Sequence, residues 1–154
     1  MTPRQFFDSV ADENARLAIA PRHDLRLAIN AIMTLDAFFG ILHAALYANG
    51  IAEIPSDDDK WKEQLAQQSD EYRLLRDAAF ALKHGNLTRA APRLFRSPKQ
   101  LFVMPGAFQA NDVQVDAFQT EQIWIETDAT DYKADEVIGK VTDFALSQMT
   151  RYGL

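Results

Sequence analysis

Cysteine is absent from the 154 residues, which removes disulfides, thiolate metal sites and cysteine nucleophiles from consideration. Histidine is scarce, with three residues, so a zinc site would have to combine histidines from separate segments with carboxylates. No metal site and no cofactor are expected. Several signatures are also missing: the Gly-x-Ser-x-Gly elbow, the Walker phosphate loop, Gly-x-Gly-x-x-Gly and His-Glu-x-x-His. The Glu-x-x-His pairs of a di-iron bundle are missing too. The opening stretch MTPRQFFDSVADENARLAIA has charges throughout and no apolar run of signal type. The apolar stretches fall short of the ~20 residues of a membrane-spanning helix. A soluble, cytoplasmic protein without membrane contact is expected.

One sign of charge is scarce at each end of the chain. Residues 1–72 carry 6 Lys/Arg against 12 Asp/Glu, residues 73–100 carry 7 against 1, and residues 101–154 carry 3 against 9. An acidic chain of net charge −6 thus has a basic centre. Such a centre attracts phosphates or nucleic acid, or else spreads its cations around a helix end and a loop.

The pattern predicts an α+β fold, mainly α, in a single domain over 1–154. A helical bundle part spans 1–100, short strands fall in 101–133, and a C-terminal helix covers 134–150. Thr2-Pro3 reads as a helix cap with proline at the first turn. A second helix runs from Arg22 to about Ala48, with Leu25, Ile29, Ile32, Phe39 and Leu46 on one stripe. Ser56 is expected to cap a third, which continues unbroken to Lys83 or His84 and ends at Gly85. Asp57, Asp58 and Asp59 then sit against the positive end of its dipole. Each long helix is about 27 residues, roughly 40 Å at 1.5 Å per residue. A short connection makes them a long antiparallel hairpin. Its register sets Asp36 opposite Asp70, His43 opposite Glu63 or Gln64, and Arg76 near Asn30. Lys83 and His84 then fall near Arg22, His23 and Arg26. QLFVM, DVQVDAF and EQIWIET predict two or three antiparallel strands, and DATDYKADE a turn into the last helix.

Two places draw chemical attention. Asp36 and His43 lie seven residues apart on one apolar face, with Gly40 between them allowing another helix close. A buried carboxylate and imidazole serve as base and orienter, or simply satisfy neighbouring core groups. With Trp124 they are also candidates for a small-ligand pocket. In RLLRDAAFALKHG, residues 73–85, Arg73, Phe80 and His84 share one helical face and Arg76 and Lys83 the neighbouring one. Arginine can stabilise phosphoryl charge and histidine can move a ribose proton. The same residue types suit a helix C-terminus.

The stretch LRDAAFALKHG resembles the Arg-Asp-x-x-Asn-Ala-x-Lys-His segment of uncharacterised bacterial proteins with HEPN-like helical bundles. The ending QIWIETDATDYKADEVIGKVTDF is similar to the ending of such proteins. The resemblance implies a homodimer. It also implies, for the ribonucleases of that family, an Arg-x4-6-His motif forming a composite RNA site. In this chain Arg76 and His84 are separated by seven residues, and Phe80 occupies the polar position. Arg16 to His23 matches the spacing, but Pro21 interrupts the helix it requires. The leading expectation is a non-catalytic binding or regulatory module with an unidentified protein partner. The alternative is a metal-independent ribonuclease or nucleotide-binding protein. It would use Arg76, Lys83 and His84 as catalytic residues, with Arg22, His23 and Arg73 binding.

Overall fold

The computed structural model describes residues 1–20, 24–87, 93–104 and 122–154. The expected strand around 113–117 and the candidate residues Arg22 and His23 lie outside the described residues.

Thr2 caps the first helix through a reciprocal pair, its hydroxyl accepting from the Gln5 N–H while the Gln5 side chain accepts from the Thr2 N–H. Pro3 at the first helical position has no N–H to leave unpaired. This helix comprises α1 (Pro3–Phe6), a π-type turn over Phe7–Ala11, and α2 (Asp12–Ile19). Helix α3 (Leu25–Ala48) starts at Asp24, whose carboxylate accepts from the Arg26 N–H. Its buried face carries Ile32, Leu35, Phe38, Phe39, Leu42 and Leu46. By length and composition α3 is apolar enough to cross a membrane, contrary to the expectation that no stretch reaches that threshold. In this fold the buried face is covered by other helices and includes Asp36 and His43.

The third predicted helix is divided. Asp57, not Ser56, caps α4 (Asp58–Ala66) by accepting from the N–H groups of Asp59 and Lys60. The chain breaks at Gln67–Gln68, and Ser69 caps α5 (Asp70–His84) by accepting from the Tyr72 N–H. Asp70 and Glu71 then fill a first turn that favours acidic side chains. Gly85 ends α5 at φ 77° and ψ −148°, a region that only glycine occupies without strain.

Residues 98–100 make a single 3-10 turn before β1 (Leu101–Met104). Strand β1 pairs antiparallel with β2 (Gln122–Ile125), Leu101 opposite Ile125 and Met104 opposite Gln122. A short β3 (Tyr132–Lys133), within the expected turn, pairs antiparallel with β2. Ile123 and Ile125 are buried, and alternation sends Trp124 to the other face of the sheet. Helix α6 (Ala134–Arg151) packs Val137, Ile138, Val141, Ala145 and Met149 into the core. The result is α+β, mainly α, with a helical hairpin in a bundle, a small antiparallel sheet and a C-terminal helix.

Candidate functional site

Breaking the second arm at Gln67–Ser69 changes which side chains meet. Helix α4 descends α3 from His43 towards Asp36, and α5 packs its Tyr72 ring with the centroid 4.3 Å from that of Phe39 and brings Lys83 to Asp36. Asp36 therefore faces lysines and not Asp70. Lys62 Nζ lies 3.8 Å from one Asp36 oxygen and 3.1 Å from Asp58 Oδ2. Lys83 Nζ lies 3.4 Å from the other Asp36 oxygen. The side chains of Asp36 and Lys62 are each only 11% exposed. A Cβ at position 40 would stand 3.5 Å from Lys62 Nζ. Gly40 thus leaves the ammonium beside polar groups and no methyl.

His43 does not pair with Glu63. Its Nε2 lies 2.8 Å from the Pro55 carbonyl, and its Nδ1 lies 3.7 Å from Asp58 Oδ1. The ring also stacks against Tyr47 and tilts against Trp61. Bonded to a carbonyl, Nε2 carries the hydrogen. Tyr72 is fully buried, and its hydroxyl has no hydrogen-bond partner among the described residues. Burial, with Asp36 nearby, pushes its pKa well above the ordinary phenol value.

The three residues expected to catalyse have separate partners. The Arg76 Nη1 donates to Glu63 Oε2 at 2.6 Å and its Nη2 to the Asp59 carbonyl. Burial works against the guanidinium, but the Glu63 hydrogen bond together with the electrostatic attraction of Tyr72, Glu63 and Asp59 outweighs it, so its pKa stands above the ordinary value. Lys83 is held by Asp36. His84, exposed beyond them, packs its ring 4.5 Å from Phe80. Arg73 is also engaged. A metal-independent ribonuclease needs a general base and an anion-stabilising cation facing one substrate. Here the two guanidinium and ammonium groups turn to separate carboxylates.

A further carboxylate, absent from the sequence reading, organises the end of α5. Asp77 is 5% exposed and accepts from Arg93 Nη1 and the Leu94 N–H, both at 2.8 Å. Desolvation raises its pKa despite both bonds. Arg93 then stands 4.3 Å over the Phe80 ring. No sequence signal marks this pair, sixteen residues apart. Lys62 was equally hidden, because DDDKWKEQ reads as a solvated charged turn.

Among the described residues, no group of three or more His, Cys, Asp or Glu side chains is placed to hold a metal ion. A shallow cleft of about 140 Å³ between α4 and the end of α6 has Glu53, Trp61, Leu65, Arg151 and Tyr152 among its lining residues. The Arg151–Glu53 ion pair, at 3.2 Å, lies among these lining groups. Comparison of the chain with protein-family models, with curated proteins and with solved structures finds no match.

Proposed function

We propose that this chain is a non-catalytic, HEPN-like helical module that binds or regulates a partner and acts as a homodimer in the cytoplasm. One observation carries the non-catalytic part. Among the described residues, the two cations named for catalysis are already committed, Arg76 to Glu63 and Asp59 and Lys83 to Asp36. Freeing Arg76 would leave Glu63 without its counter-ion, and freeing Lys83 would leave Asp36 with Lys62 alone. The spacing of Arg76 and His84, outside the family's nuclease motif, supports the same reading.

The test is cleavage of single-stranded and structured RNA in EDTA by the native protein and by His84→Ala. No cleavage by either is expected. Cleavage by the native protein that disappears in a folded His84→Ala would reverse the assignment in favour of a ribonuclease. Sedimentation equilibrium tests the homodimer separately, and a strictly monomeric chain at micromolar concentration refutes it.

A further inference from the structure

We infer that the end of α5 is a docking surface for a peptide segment of a partner protein, acidic in character and carrying an aromatic side chain. This rests on the reading of the chain as a binding module and adds the chemistry of the partner. Phe80 is 40% exposed, a large ring left at the surface in the middle of a cationic segment. Arg93 stands over it and the exposed His84 ring packs beside it. The three flat groups form one patch, and its arginine is fixed in advance because Asp77 holds the guanidinium from beneath. A group held in place before binding loses little freedom when a ligand arrives.

The returning chain adds charge at the same end. The Leu87 N–H donates to the Arg96 carbonyl at 2.8 Å, and the Ser97 hydroxyl donates to Asn86 Oδ1 at 2.7 Å. These bonds lay residues 96–97 against the chain just beyond α5, and the side chains of Arg96 and Lys99 are exposed. An aromatic side chain stacks on Phe80 and Arg93. Flanking carboxylates meet Arg96 and Lys99, and charge complementarity selects them from an otherwise acidic protein.

A peptide suits this surface better than a nucleic acid. Affinity for a polyanion accumulates over many phosphate contacts, and Arg76, Lys83 and Arg93 already have carboxylate partners. Among the described residues of this surface, Arg96 and Lys99 match a few carboxylates and not a continuous backbone.

The experiment is selection of a random peptide library displayed on phage against the whole chain, followed by fluorescence polarisation with the synthesised winners. Enriched sequences are expected to carry an aromatic residue flanked by Asp or Glu. Their binding should weaken about tenfold or more in Phe80→Ala and in Arg96→Glu/Lys99→Glu, the loss typical of a central anchor, with unchanged circular dichroism. Selection of no such sequences, or winners indifferent to both variants, overturns the inference. So does a short single-stranded RNA that binds more tightly than any peptide and depends on Phe80, which assigns the surface to nucleic acid. A chain that cleaves no RNA and selects no acidic peptide keeps the module reading and loses only this surface.

Discussion

Lys62→Met interrogates the charged interior between α3 and α4. Methionine keeps most of the lysine stem and removes the ammonium, which stands 3.1 Å from Asp58 and 3.8 Å from Asp36. Removing one partner of a fully buried ion pair costs about 3–5 kcal/mol, because the other charge is left uncompensated. Asp36 keeps Lys83 at 3.4 Å, but that lysine side chain is 46% exposed and its attraction is correspondingly screened. Roughly half the full penalty, ~2 kcal/mol, is therefore expected. At about 2–4 °C per kcal/mol for a chain of this size, Tm falls by roughly 4–8 °C. Asp36→Leu combined with Lys62→Met removes both charges together, and should recover about 1–3 kcal/mol relative to the sum of the single changes. Urea unfolding of the four proteins, followed by tryptophan fluorescence and far-ultraviolet circular dichroism, measures the cycle. An unchanged m value assigns the midpoint shifts to stability. A Lys62→Met protein within ~0.5 kcal/mol of the native one, the range of ordinary surface changes, would refute the reasoning. Strict additivity in the double variant would refute it equally.

Two further outcomes follow from the caps and the second buried carboxylate. Burial raises the Asp77 carboxyl, so the folded chain holds that proton more tightly than the unfolded one. The contribution of Asp77 to stability is then smallest above its folded pKa and grows as pH falls towards the unfolded value of about 3.9. Asp77→Asn lacks that gain. Acidification through this range should therefore shift the stability difference in favour of the native protein, and a shift in favour of the variant in urea titrations contradicts the assignment. Ser69→Ala should cost ~1 kcal/mol and speed hydrogen exchange at Tyr72. Unaltered exchange there would mean that Ser69 is not the cap that starts α5.

Some helix boundaries were legible from a local rule, whereas the cap of α4 is Asp57 and not the expected Ser56. Thr2-Pro3 starts a helix, Gly85 stops one, and of the stripe from Leu25 to Leu46 Ile32, Phe39 and Leu46 are buried while Leu25 and Ile29 are half-buried. The division of the third helix was equally local, since Ser69 followed by Asp70 and Glu71 is an N-cap pattern. It was overridden by the apolar stripe running on either side from Trp61 to Leu82. That miss carried into the site, because one unbroken arm misaligns every facing pair. Asp36 was legible as an interruption of an apolar face, and its lysine partners were not. Lys62 is buried by tertiary packing, and nothing in the neighbourhood of Asp57–Asp59 distinguishes it from the exposed Lys60. The pairs Arg76–Glu63 and Arg93–Asp77 depend on how chain segments return, which composition and periodicity do not encode.

A helix as short as α4 can slide along its neighbour. Its buried apolar residues, Trp61, Leu65 and Ala66, recur at about one turn, so a shift of roughly 5.4 Å exchanges one greasy contact for another. The ammonium of Lys62 has no such substitute. The shift would carry it away from Asp36 and from Gly40, leaving Asp36 with the half-exposed Lys83 alone while Asp58, on the same helix, moves with Lys62, at a cost of about 2 kcal/mol. The Lys62–Asp36 contact therefore weighs against misaligned chains and favours one register of α4 on α3.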